Sequence, residues 1–145
     1  MKNLFCVLLA LSGIKAFAQQ ATPVAAASNS AKLREVIFMT YSTDEMVAIS
    51  AETGDESALT EIDEFDLSAQ SFTEQHELPG VQVRVTDMRE VQLPYSDGKM
   101  FSARRDNEDN KFLIVLYDGN KEPMIIKGIW PVDDLRGKVR AYFGL

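Results

Sequence analysis

Ser42-Thr43-Asp44-Glu45-Met46-Val47-Ala48-Ile49-Ser50-Ala51 (STDEMVAISA) is where two architectures diverge. On one reading Ser42 and Glu45 form a capping box, each side chain accepting from the other's backbone N–H, and a helix begins. On the other, the same letters are a hairpin turn and Met46–Ala51 is a strand. The preceding residues are less equivocal. Glu35–Ser42 (EVIFMTYS) is β-branched and aromatic and stays apolar on both faces as far as Thr40, the pattern of a central strand. A helix after it makes a β-α unit. A strand after it makes an antiparallel hairpin and a mainly antiparallel α+β domain.

Downstream, Leu59, Ile62, Phe65 and Phe72 fall near helical spacing with acids between them. They predict a helix over Ala58–Phe65, in preference to an imperfectly alternating edge strand over Glu61–Leu67. Leu78-Pro79-Gly80 breaks the chain. Val81–Asp87 (VQVRVTD) then alternates, with Val81, Val83 and Val85 on one face, as a half-buried strand does. Val91–Arg105 holds Pro94, an Asp97-Gly98 turn and room for a short strand at Met100-Phe101. Asp106–Asn110 (DNEDN) is a polar loop.

The C-terminal third is more definite. Lys111–Tyr117 (KFLIVLY) is a strand covered on both faces, Asp118-Gly119-Asn120 a turn, and Pro123–Trp130 the return strand. Pro131 opens a helix where its missing N–H costs nothing. Val132, Leu135, Val139, Tyr142 and Phe143 form one apolar stripe, with Asp133 and Asp134 early and Arg136, Lys138 and Arg140 late, as the helix dipole favours. Gly137 interrupts this helix and predicts close packing against the sheet; Gly144 ends it.

Phe112–Phe143 resembles the end of thioredoxin-like domains: a buried strand, an Asp-Gly turn (Asp118-Gly119), a return strand closing on glycine (Gly128), and a helix with leucine in its second turn (Leu135). The resemblance covers about thirty of the 127 residues that follow position 18. It implies an α/β fold, a βαβ…ββα sheet with a C-terminal helix, in which Glu35–Ser42 and Val81–Asp87 are the parallel strands. The family's redox motif, two cysteines two residues apart after the first strand, is replaced by Tyr41–Met46 (YSTDEM). The proline that precedes the family's third strand is missing from Asn107–Lys111. The resemblance therefore implies the scaffold without redox activity.

Residues 1–18 read as a signal peptide: Lys2, an apolar run Leu4–Leu11 too short to span a membrane, and Ala16-Phe17-Ala18 as a small-x-small cleavage site. A short membrane anchor is the competing reading, and Lys15 argues against it. Gln19–Ala31 is a small, polar, aperiodic leader, so one globular domain is expected over residues 32–145. Cleavage would remove Cys6, the only cysteine, and with Lys2 and Lys15 it would take the formal charge from −7 to −9. Such a chain has no thiolate chemistry. Its charge disfavours nucleic acid and anionic membrane surfaces. No membrane insertion is expected after cleavage, and the chain is expected to be secreted or periplasmic.

Glu35–Val83 carries twelve acids and no lysine or arginine across about fifty residues. A segment so one-sided stays solvated, binds cations or faces a basic partner. Asp55, Glu56, Glu61 and Glu64 are the candidate binding residues. For calcium, Asp106, Glu108 and Asn110 place oxygens at alternate positions, but Lys111 stands where an EF-hand has glycine and Tyr117 where it has its bidentate glutamate. The Thr53–Glu56 turn is a weaker candidate. His76, the only histidine, sits beside the Leu78-Pro79-Gly80 breaker and lacks an orienting partner, and no serine has nucleophile context. Paired carboxylates are present for glycoside hydrolysis, but aromatic sugar platforms are not: Trp130 is the single tryptophan and reads as a packing residue. Arg104-Arg105, the one basic doublet, could grip an anion, though pairing with the acidic half across the fold is the cheaper explanation. The expectation is a non-enzymatic accessory or binding protein, without cofactor, whose acidic surface Glu35–Glu77 faces a basic protein or envelope component. The rival expectation is a redox-inactive thioredoxin-like domain that takes a small molecule or peptide near Tyr41–Met46.

Overall fold

In the computed structural model, which describes residues 33–54, 56–75, 78–95, 97–106 and 108–145, a helix follows Ser42. The expected signal peptide (1–18) and leader (19–31), and the candidates Asp55 and His76, lie outside the described residues. Strand β1 (Arg34–Met39) leads into helix α1 (Thr43–Thr53). The Glu45 N–H donates to Ser42 Oγ at 3.3 Å, and the Ser42 N–H donates to Glu45 Oε2 at 3.0 Å. Two N-terminal donors are thereby satisfied at once. Gly54, at φ 57, stops the helix and donates its N–H to Ser50 O at 3.2 Å. The strand reading of Met46–Ala51 is thus corrected to helix. Only Met46 and Ile49 of this helix pack on the core, and none of its residues is fully buried, so its hydrophobic pattern was too weak to distinguish the two readings.

Helix α2 (Glu56–Gln75) runs ten residues beyond the predicted end at Phe65. Its inward residues are Ile62, Phe65, Ala69 and Phe72. The extension was hidden because the inward position after Phe65 is a small alanine, while the larger Leu67 points to solvent. Next come β2 (Gln82–Thr86), a hairpin of β3 (Glu90–Pro94) and β4 (Met100–Arg104), then β5 (Leu113–Asp118), β6 (Met124–Lys127) and helix α3 (Val132–Phe143). The hairpin is longer than the short strand expected at Met100-Phe101. Pro94 closes β3 opposite Met100, where its missing N–H is tolerated.

The result is a mixed α/β arrangement: a four-stranded sheet ordered β2-β1-β5-β6, a two-stranded sheet β3-β4, and three helices among the described residues. β1 runs parallel to β2, with Val36 opposite Val83, and antiparallel to β5, with Ile37 opposite Val115. β5 and β6 are antiparallel. Alternate residues of β1 and β5 enter two separate cores. Val36, Phe38, Ile114 and Leu116 pack with Ile62, Phe65 and Phe72 of α2 and Leu135 and Val139 of α3. Ile37, Met39, Leu113, Val115 and Tyr117 pack with Val91, Leu93 and Ala103 of the hairpin. Coverage on both sides explains the uninterrupted apolar runs of these two strands. β2 is an edge: Val81 is buried beside it, but Val85 is 48% exposed, so the alternation holds only at its start.

Gly137 does not pack against the sheet. A Cβ built there meets no atom within 4 Å, which corrects the expected reason for this glycine.

Candidate functional site

The C-terminal end of β1, the first turn of α1 and the two ends of the β3–β4 hairpin converge on one side chain, Arg105. It is 2% exposed and lies directly after β4. Its backbone N–H donates to Arg89 O at 2.8 Å, which closes the base of the hairpin and brings both arginines to the start of α1. There Arg105 Nη2 donates to Glu45 Oε2 at 2.7 Å, and Arg89 Nε donates to Glu45 Oε1 at 2.5 Å. The Arg105 guanidinium lies over the Tyr41 ring, its Cζ 3.7 Å from the centroid. Tyr41 in turn packs edge-on against Phe112 at 6.0 Å, and its hydroxyl donates to Asp106 O at 3.4 Å.

Electrostatics follow from these contacts. Burial alone would raise the Glu45 carboxyl. The Ser42 N–H and the two guanidiniums outweigh it and hold the group at about 2. Burial pushes the Tyr41 hydroxyl up, and Arg105 offsets only part of the rise. Arg105 itself has unmet capacity: its buried Nε and Nη1 have no hydrogen-bond partner among the described residues.

Two hollows adjoin this cluster. On one side, Tyr41, Ile49, Ala58, Ile62 and Phe112 line a largely apolar cavity of about 190 Å³, with Glu52, Glu61 and Lys111 also in its wall. On the Arg105 side, Arg89, Arg104, Arg105, Asp106 and Asn110 line a polar cleft of about 410 Å³. The arrangement can hold an apolar group beside a polar one. It contains no thiol and no base–nucleophile pair among the described residues.

The sequence-predicted candidates lie elsewhere. Glu56, Glu61 and Glu64 are exposed along α2. Glu61 and Glu64 share a recess with Glu108, Asp109 and Lys111, while Glu56 does not reach it. The proposed calcium ligands are tied to one another. Asp106 Oδ1 accepts from the Glu108 and Asn110 N–H groups at 2.9 and 2.8 Å, and Oδ2 accepts from Asn110 Nδ2 at 2.9 Å. These bonds, led by the Asn110 N–H, hold the Asp106 carboxyl below its ordinary value. Among the described residues no group of three or more histidine, cysteine or acidic side chains is arranged to hold a metal. No described helix is long and apolar enough to cross a membrane. Trp130 packs partly against the main core, as its reading as a packing residue expected.

Sequence reasoning did not assemble Tyr41, Glu45, Arg89 and Arg105 into one unit. The available signal was the Arg104-Arg105 doublet in an acidic chain. Its expected pairing with the acidic half is realised by Arg105 and Glu45, sixty residues apart. Comparison with protein-family models, curated proteins and solved structures returned no match.

Proposed function

We propose that this chain is a non-enzymatic binding module on a thioredoxin-like scaffold without redox cysteines, taking a small molecule or peptide at the groove near Tyr41–Met46. The observation that carries the reading is the cavity walled by Tyr41, Ile49 and Phe112. It lies beyond the C-terminal end of β1, where that strand's neighbours β2 and β5 run in opposite directions. Crevices outside the carboxyl ends of sheet strands are recurrent ligand sites. Support for the scaffold comes from the sheet order β2-β1-β5-β6, from the parallel β1–β2 pair connected through α1 and α2, and from α3 after the β5–β6 pair. At the helix start, where the family carries its cysteines, Ser42 and Glu45 instead cap the helix and anchor arginines. The signal-like pattern of residues 1–18 supports action outside the cytoplasm, as a secreted or periplasmic accessory protein.

The test is a screen of fragments and short apolar peptides against the wild-type chain and Ile49→Trp, which fills the cavity. Binding that is present in the wild type and lost in a variant of unchanged melting temperature is expected. Ligands that bind both equally contradict the reading.

A second reading is favoured by the composition of α1 and α2, which hold no lysine or arginine and expose Glu56, Glu61 and Glu64. With Asp55, these would face a basic protein or envelope component. Neutralising all four acids should then weaken association with a lysine-rich peptide and flatten its salt dependence. Unchanged binding sinks this reading.

A further inference from the structure

We propose that the cleft between Arg89, Arg104 and Arg105 is an oxyanion site, which takes a phosphate or carboxylate group. Its lining shares no residue with that of the apolar cavity, so the two sites can fail independently. Arg105 is the core of the argument. A guanidinium carries five N–H donors and cannot lose its charge. Here it is fixed by stacking on Tyr41 and by one bond to Glu45, yet its Nε and Nη1 are buried without a partner among the described residues. Buried cationic donors left unpaired are costly, and an anion's oxygens are the groups that satisfy them best.

The arrangement of the arginines points the same way. Arg89, Arg104 and Arg105 gather at one cleft in a chain of net charge −7, with Glu45 bonded to Arg89 and Arg105, Glu90 opposite Arg104, and Asp106 in the cleft wall. Both Asp106 oxygens already accept N–H bonds from its own loop. A single arginine would neutralise Glu45, and two are supplied. Arg89 and Arg104 are exposed arms at the rim, able to move aside and admit an anion to the fixed Arg105. A rigid buried guanidinium with adjustable basic neighbours is suited to gripping phosphate or carboxylate oxygens.

The experiment titrates the full-length chain with sodium phosphate and, separately, sodium acetate, against sodium chloride at matched ionic strength. Arginine Nε–Hε resonances are followed by NMR. The expected result is a saturable shift of the Arg105 signal in phosphate, acetate or both, and none in chloride. Phosphate alone would identify a phosphoryl ligand, acetate alone a carboxylate ligand. In Arg105→Lys the saturable phosphate or acetate response of the Arg89 signal, which lines the same cleft, should be lost. Arg104→Gln, at an exposed position that leaves folding intact, should weaken it by up to about fivefold. An Arg105 signal that moves no more than in chloride, or saturation unchanged in Arg104→Gln and retained in Arg105→Lys, overturns the proposal.

Discussion

Glu45 does three things with one carboxylate: it closes the capping box, neutralises a buried arginine and holds a second arginine at the rim. Removing its charge in Glu45→Gln strands Arg105 without its counter-ion. The expected cost is about 2 kcal/mol, below the value for a fully buried pair because the Arg89 side remains open to water. The same carboxylate sets a pH dependence. Its folded-state value of about 2 lies below the ordinary 4.5, so its stabilisation is complete above about 4.5 and is lost as pH falls from there toward 2. Urea midpoints of wild type and Glu45→Gln should converge over that window, and a gap that persists unchanged at its acid end would contradict the assignment. Tyr41 separates two contributions. Tyr41→Phe keeps the stacking on Arg105 and loses the hydroxyl's long bond to Asp106 O and its weaker polar interaction with Arg105, so it should cost about 1 kcal/mol. Tyr41→Ala, which removes a wall of the apolar cavity and the ring under Arg105, should cost about 3 kcal/mol by the same denaturation measurement.

At the scale of elements, the helices show what was legible. The start of α1 was written in Ser42 and Glu45, but its outward-facing body gave no periodic signal, so the letters fitted a strand equally well. Ser42→Ala should cost about 1 kcal/mol and speed amide hydrogen exchange in the first turn of α1 before anywhere else. The second half of α2 was illegible because Ala69 carries the core contact there and Leu67 does not. The β3–β4 hairpin was reduced to a fragment because Pro94 and the polar positions Gln92 and Ser102 mask a face that holds Val91, Leu93 and Ala103 inward with Phe101 partly packed beside them. In α3 the stripe was plain and the glycine misled. Gly137 has open space around it, so Gly137→Ala should stabilise the protein by roughly 1 kcal/mol, the difference in helix propensity. A loss of stability in that variant would mean the site is packed after all.

Across the whole molecule, β1 and β5 are the shared wall of two cores, and an aromatic series connects the larger one to the site. Phe38 meets Phe72 at 5.6 Å and Phe65 at 5.9 Å, Phe65 meets Phe112 at 5.1 Å, and Phe112 meets Tyr41. The strands could be read from sequence because two-sided burial leaves an uninterrupted apolar run. The site could not, because Tyr41 and Glu45, Arg89, and Arg105 come from three separate stretches and only the fold brings Glu45 to Arg105. Acidic residues were the conspicuous feature of the sequence, yet most stand exposed along helices, and the built arrangement is the basic one around Tyr41. The most direct test of a binding site at this place is backbone amide shift mapping of the full-length chain with the ligands that a screen returns. Shifts concentrated at Tyr41–Met46, Ile49 and Phe112 are the predicted result. Shifts confined to the outer face of α2, around Glu56, Glu61 and Glu64, would contradict it.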